Sequence, residues 1–195
     1  MSAVAVAYHS GFGHTKVLAE AVQDGVIQVS GATASLIAVA DITDEQWAQL
    51  DAADAIVFGA PTYMGTASAA FHAFAEATSK RWFAYAWKDK IAAGFTMSGS
   101  MAGDKTSTLA YFQTLAAQHN MLWVNPDLHG GWNGAEGKED ELNRLGFFSG
   151  VGGQCVGTLP PEAVHKSDIL TAQRYGRRVT ELADVYLAGR KALAA

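Results

Sequence analysis

Three short clusters hold most of the residues that could do chemistry in this chain. They are His9-Ser10-Gly11-Phe12-Gly13-His14-Thr15, Pro61-Thr62-Tyr63-Met64-Gly65-Thr66 and Met97-Ser98-Gly99-Ser100-Met101-Ala102-Gly103. Each is rich in glycine and hydroxyl side chains and almost uncharged. The first follows an uncharged apolar run, Val4 to Tyr8, and leads straight into a helical pattern. The opening N–H groups of a helix have no intrahelical partner and sit at the positive end of its dipole, so such a turn suits an anion. Glycines at 11 and 13 let the backbone approach closely, and Ser10 and Thr15 add hydroxyl donors. The chemistry predicted is the binding of a phosphate by neutral groups. A P-loop is excluded, because Gly13 is followed by His14-Thr15 rather than Lys-Ser/Thr. A dinucleotide fingerprint is excluded because position 16 is Lys, not a third glycine. A bare strand-to-helix connection can have the same composition, so this loop alone leaves both readings open.

Alternating strands and helices must position the clusters. Val4 to Tyr8 reads as a strand covered on both faces. Leu18, Val22, Val26 and Val29 mark a helix from about Thr15 to Val29, ended by Ser30-Gly31. Ala34 to Val39 is a weaker second strand. Asp41 to Leu50 reads as a short helix or turn, with Thr43 as cap and Gln46 three residues on. Ala55 to Ala60 is a third strand, followed by a helix with Phe71, Phe74 and Thr78 on one side. Arg81 to Trp87 fits neither element type. A fourth strand runs from Ile91 to Thr96, a helix from about Asp104 to His119, and a fifth strand from Met121 to Val124. Asn125 to Gly153 is glycine-rich and aperiodic, and reads as a long insertion in the last strand. A helix from about Ala163 to Arg190 closes the chain, with Ala172, Tyr175, Val179, Leu182 and Tyr186 at helical spacing. Five strand–helix alternations predict a parallel sheet with helices on both faces, in one domain of 195 residues. The three clusters then converge at the carboxyl ends of the strands, where such sheets bind ligands.

Charge and composition narrow the function. A net charge of −5 with no basic stripe argues against a nucleic-acid partner, and sets the chain apart from strongly acidic electron carriers. No leader or membrane-length apolar run is read, and one cysteine, Cys155, allows no internal disulfide, so the expectation is a cytoplasmic setting. No activating cluster flanks Cys155, which reads as a packed thiol. His9 and His14 have the wrong spacing for a metal pair and no nearby carboxylate; no metal is expected.

The stretches HSGFGHT, GAPTYMGTAS, TSKRWFAYAWKDKIAAGF, SGSMAG and AAQHNM, in this order, resemble the WrbA-type NAD(P)H:quinone oxidoreductases of the flavodoxin-like superfamily. The resemblance covers Val4 to about Val124 and extends more loosely to Val156. It implies a doubly wound five-stranded parallel sheet of order 2-1-3-4-5, FMN as cofactor, and NADH or NADPH as electron donor. Ser10, Gly11, Phe12, Gly13, His14 and Thr15 would bind the FMN phosphate. Pro61, Thr62, Tyr63, Met64, Gly65 and Thr66 would frame the isoalloxazine ring. Ser98, Gly99, Ser100, Met101, Ala102 and Gly103 would close over its other edge. His119 matches a histidine beside flavin and substrate, and Trp82 a tryptophan that reaches the flavin pocket of a neighbouring subunit. A homodimer or homotetramer would then complete the site. The family's long insert before the third strand is absent, since only Asp41 to Asp54 intervenes.

The expected function is a ping-pong transfer of two electrons from NAD(P)H to a quinone-like acceptor, with His119, Tyr63 and Trp82 positioning the reactants. A flavodoxin-type electron shuttle and a non-catalytic FMN-binding sensor are the alternatives. His119 also reads as a plain helix-terminal residue, and both roles stay open. Trp82 reads as core or interface. Arg144, alone in the insertion, reads as solvated in preference to meeting a nucleotide anion.

Overall fold

The computed structural model describes residues 1–194. Its strands are β1 (Ala3–Tyr8), β2 (Thr33–Ala38), β3 (Ala55–Tyr63), β4 (Thr66–Ala67), β5 (Ile91–Ser98), β6 (Leu122–Trp123) and β7 (Val151–Gln154). The parallel sheet runs β2-β1-β3-β5, with the fifth position shared by β6 and β7, while β4 is a short antiparallel return on β3. Ile91 and Ala92 of β5 pair with Leu122 and Trp123, while Phe95 to Ser98 pair with Val151 to Gln154. One strand position is thus filled in two pieces, and the insertion leaves and re-enters between them. Its last residues, Val151 to Gly153, belong to the returning strand rather than to the loop.

Period-two alternation decides which side chain goes to which face. Val4, Val6 and Tyr8 of β1 and Ala55 and Val57 of β3 bury against helices α1 (His14–Ile27) and α6 (Lys166–Leu193). Ala5, Ala7, Ile56 and Phe58 point to the other face. There they meet Leu50 of α2 (Asp44–Ala52), Phe71 and Phe74 of α3 (Ala69–Ala77), and Leu109 and Phe112 of α5 (Lys105–Gln118). Helices α1 and α6 touch backbone to backbone. A Cβ on Gly25 would lie 1.8 Å from the Gln173 carbonyl oxygen, and one on Gly176 would lie 2.1 Å from that of Val22.

Local chemistry explains the boundaries. The Thr43 hydroxyl accepts from Gln46 N–H and Gln46 returns the bond, a capping box that starts α2. Arg81 to Trp87 is partly helical after all. Helix α4 (Ser79–Phe83) forms there, and Trp87 beyond it is fully buried with its indole N–H on Asp51 at 2.8 Å. That partner lies 36 residues away, which is why the short aromatic run showed no period of its own.

Candidate functional site

The cleft lies where β1, β3 and β5 end. In the first loop, the amides of Gly11, Phe12, Gly13, His14 and Thr15 have no hydrogen-bond partner among the described residues. They open a helix of 14 residues with no acidic side chain in its first turn. Ser10 Oγ accepts the Lys16 N–H at 3.1 Å and keeps its own proton free to donate. Thr15 is buried, lines the cleft, and its hydroxyl has no partner among the described residues. Lys16 Nζ turns away to Glu20 at 3.6 Å. The set is neutral donors around a helix start, which fits a phosphate ester.

Packing adds a second constraint on the glycines of this loop. A Cβ at Gly11 would sit 2.5 Å from the Tyr63 hydroxyl, so this glycine admits a tyrosine. Gly13 has φ +90°, and its Cβ would meet the Pro161 ring at 2.6 Å. The His14 ring is bonded by Nε2 to the Leu159 carbonyl at 2.8 Å, so His14 offers the site its amide and not its imidazole. His9 Nδ1 meets Ser68 Oγ at 2.7 Å and ties the loop to the start of α3; burial lowers its pKa and favours the neutral ring.

The second loop is a tight hairpin. Tyr63 pairs with Thr66, and the two residues between them, Met64 and Gly65, both have positive φ (48° and 84°). Thr62 is held from below: its hydroxyl meets those of Thr96 at 2.8 Å and Thr108 at 2.7 Å. Its side chain therefore braces the cleft wall instead of reaching a ligand. Tyr63 stacks edge-on against Phe12, and burial raises its phenol pKa, leaving a neutral O–H donor. Met64, Phe12 and Met101 are exposed on the three loops, an apolar rim to the cleft. A cavity of about 420 Å³ runs between this hairpin and the third loop, lined by Thr62, Met64, Gly65, Ser98, Gly99 and Ser100, with Gly103 and Asp104 at its end.

His119 lies away from the cleft of its own chain. It caps the far end of α5, beside the starts of β5 and β6, where Leu122 N–H bonds Lys90 O. The eight residues of β5 place about 25 Å between that end and the cleft. The ring is 3% exposed, bonded by Nε2 to Thr78 Oγ1 at 2.8 Å and packed on Trp87, and burial lowers its pKa. Within one chain it is therefore remote from the cleft, packed at the end of α5. Trp82 is half exposed on α4, which follows directly from Thr78 at the same far end, so within one chain it is remote from the cleft.

A buried polar network under the third loop went unread in the sequence. Arg144, expected to be solvated, is buried and grips Asp168 in two bonds of 2.8 and 2.9 Å, with Glu139 at 3.1 Å and Gln154 at 3.4 Å. Gln154 N–H donates to Asp168 at 2.9 Å. Lys105 is wholly buried, its ammonium on the carbonyls of Ser100 at 2.6 Å and Met101 at 3.0 Å. Desolvation brings its pKa down to about 8 against the pull of Asp168. The segment Cys155 to Pro161 was also missed; Cys155 and Gly157 line the cleft beside Thr15, and burial raises the Cys155 pKa, keeping it a thiol. No sequence signal links these residues, since Arg144 and Asp168 are 24 positions apart.

Comparison with known proteins agrees with this arrangement. Residues 9–130 match the family described as NADPH-dependent FMN reductase. The flavodoxin FldP of Pseudomonas aeruginosa is 39% identical over 185 residues, covering 93% of this chain and 97% of that protein. An NAD(P)H dehydrogenase (quinone) of Geobacter sulfurreducens is 30% identical over 205 residues, covering 92% and 97%. Among solved structures, a flavodoxin, WrbA-like protein from Agrobacterium tumefaciens superposes with a TM-score of 0.74 at 40% identity, covering 95% of this chain and 99% of that one.

Proposed function

The chain belongs to the NADPH-dependent FMN reductase family, and on that premise we propose that it is an FMN-dependent oxidoreductase that passes two electrons from NADH or NADPH to a quinone-like acceptor. The amides of residues 11–15 with the Ser10 and Thr15 hydroxyls hold the FMN phosphate. The 61–66 hairpin and the 98–103 loop hold its ring system between them. Bound FMN supplies the redox chemistry, accepting a hydride and releasing two electrons. The residues bind, orient and shield; none needs to act as a covalent nucleophile. Tyr63, a neutral donor at the cleft mouth, is placed to hydrogen-bond an acceptor carbonyl.

The observation that carries this reading is the open apolar rim. Phe12, Met64 and Met101 are exposed on the loops that form the cleft, a surface suited to a flat aromatic reactant. One mouth serves donor and acceptor in turn, which gives ping-pong kinetics. The relatives named NAD(P)H dehydrogenase (quinone) support the same class. Initial rates of NADH and NADPH oxidation by FMN-loaded protein, at several benzoquinone concentrations, test it. Parallel double-reciprocal lines are expected; no turnover above free FMN refutes it.

A second reading, an electron carrier without its own substrate, is favoured by the relative named flavodoxin, which matches along almost the whole chain. It predicts FMN binding with no quinone-dependent NAD(P)H oxidation. The role proposed for Trp82 at a neighbour's cleft needs a homo-oligomer. Light scattering would show a dimer or tetramer, and Trp82→Ala in it would alter turnover.

A further inference from the structure

We propose that Lys105 and Gln154, braced by the Arg144–Asp168 pair, are positioning residues that aim three backbone amides of the third loop at the flavin ring. This rests on the FMN reading above. Three successive carbonyls are drawn toward side chains beneath the loop. Gly99 O accepts Gln154 Nε2 at 2.8 Å. Ser100 O accepts Lys105 Nζ at 2.6 Å and Ser98 Oγ at 3.1 Å. Met101 O accepts Lys105 Nζ at 3.0 Å.

A trans peptide unit is planar, with its C=O and the following N–H pointing in opposite directions. Fixing the carbonyls of Gly99, Ser100 and Met101 therefore turns the N–H groups of Ser100, Met101 and Ala102 outward. None of those three amides has a backbone partner among the described residues, and the loop they belong to walls the 420 Å³ cavity. The row of donors suits the carbonyl and nitrogen edge of a flavin, which gathers negative charge on reduction.

The bracing is one-directional. Arg144 can only donate, so Gln154 turns Oε1 toward it, and this leaves Nε2 for the Gly99 carbonyl. Asp168 fixes Arg144 by both oxygens and holds the Gln154 backbone as well. Lys105 is 0% exposed. A buried ammonium is costly, and in a purely structural role an apolar side chain would serve the core better. Its placement against loop carbonyls supplies a reason for keeping it. The insertion between β6 and β7 thereby gains a role, because it delivers Arg144 to the underside of the third loop.

The test uses the full-length apoprotein with FMN and riboflavin as probes. Lys105→Met and Gln154→Leu should each weaken FMN by about ten-fold, from two or three misaimed hydrogen bonds. Riboflavin should weaken by the same factor, because the loop meets the ring and not the phosphate. The two-electron midpoint potential of bound FMN should move lower, a change that loss of fold stability alone does not produce. If Lys105→Met fails to fold, Gln154→Leu, at a half-buried position, carries the test alone. Affinities within two-fold of wild type and an unchanged potential overturn the proposal, as does weakening of FMN without riboflavin. If wild type binds neither flavin, the FMN reading falls and this inference with it; if wild type binds and the variants match it, only the inference falls.

Discussion

Thr15→Val separates the phosphate-binding role proposed for the first loop from any part it plays in folding. The Thr15 side chain is buried at the head of α1, and its hydroxyl makes no hydrogen bond among the described residues. Valine keeps the shape and branching and removes only that hydroxyl. A hydrogen bond to a charged group contributes about 1.5–3 kcal/mol, so FMN should bind about ten- to a hundredfold more weakly. Riboflavin has the same ring without the phosphate and should bind as it does to wild type. The ligand-free protein should keep its stability to within about 1 kcal/mol, a Tm within about 2–4 °C for a chain of this size, because the hydroxyl faces the open cleft and makes no hydrogen bond within the fold. Fluorescence quenching of the two flavins and thermal unfolding of the apoprotein measure all three. FMN affinity within three-fold of wild type, equal loss of both flavins, or a Tm several degrees lower would each refute the reasoning.

Gly13→Ala forces an L side chain to φ +90° and against the Pro161 ring. It should destabilise the protein by about 2–3 kcal/mol and weaken FMN, as thermal and flavin titrations would show. His119→Asn should leave FMN affinity unchanged while costing about 1–3 kcal/mol in chemical denaturation, since His119 lies far from the cleft and bonds Thr78. Because burial lowers the His119 pKa below its ordinary 6.5, the unfolded chain takes up the proton first. Its contribution is therefore lost as pH falls below 6.5, and the variant should lack that loss. Lys105 titrates near 8 in the fold against 10.5 ordinarily, so between those values the unfolded chain binds more protons. Stability should then rise from about pH 8 toward 10.5, and Lys105→Met should flatten the rise in urea titrations. The groups facing the ammonium are Asp168, Arg144, the Phe147 ring at 5.7 Å and the two loop carbonyls.

Those elements whose signal is local were legible in the sequence. The glycine-rich turn into α1, the capping box at Thr43, the buried stripe of α5 and the interrupted last strand each follow from residues a few positions apart. Where partners are distant, legibility ended. Arg144 looked solvated because Asp168 comes from another element. His119 shares its helical stripe with core residues, and only the direction of α5 shows that it ends at the wrong edge of the sheet. Gly11 and Gly13 were legible as necessary, but the constraint that Tyr63 and Pro161 add was not, since those residues lie 52 and 148 positions away (63 − 11 and 161 − 13). The 61–66 cluster hid a hairpin because a two-residue return of strand is too short to show alternation.

A cleft that holds a phosphate-bearing flavin by neutral donors at the head of α1 is what every functional step here requires. Calorimetric titration of the wild-type apoprotein with FMN and with riboflavin tests this most directly. One FMN per chain, bound about a hundredfold or more tightly than riboflavin, is the predicted result, since several donors at about 1.5–3 kcal/mol each act on the phosphate. Equal affinity for the two flavins, or no binding of either, would contradict it.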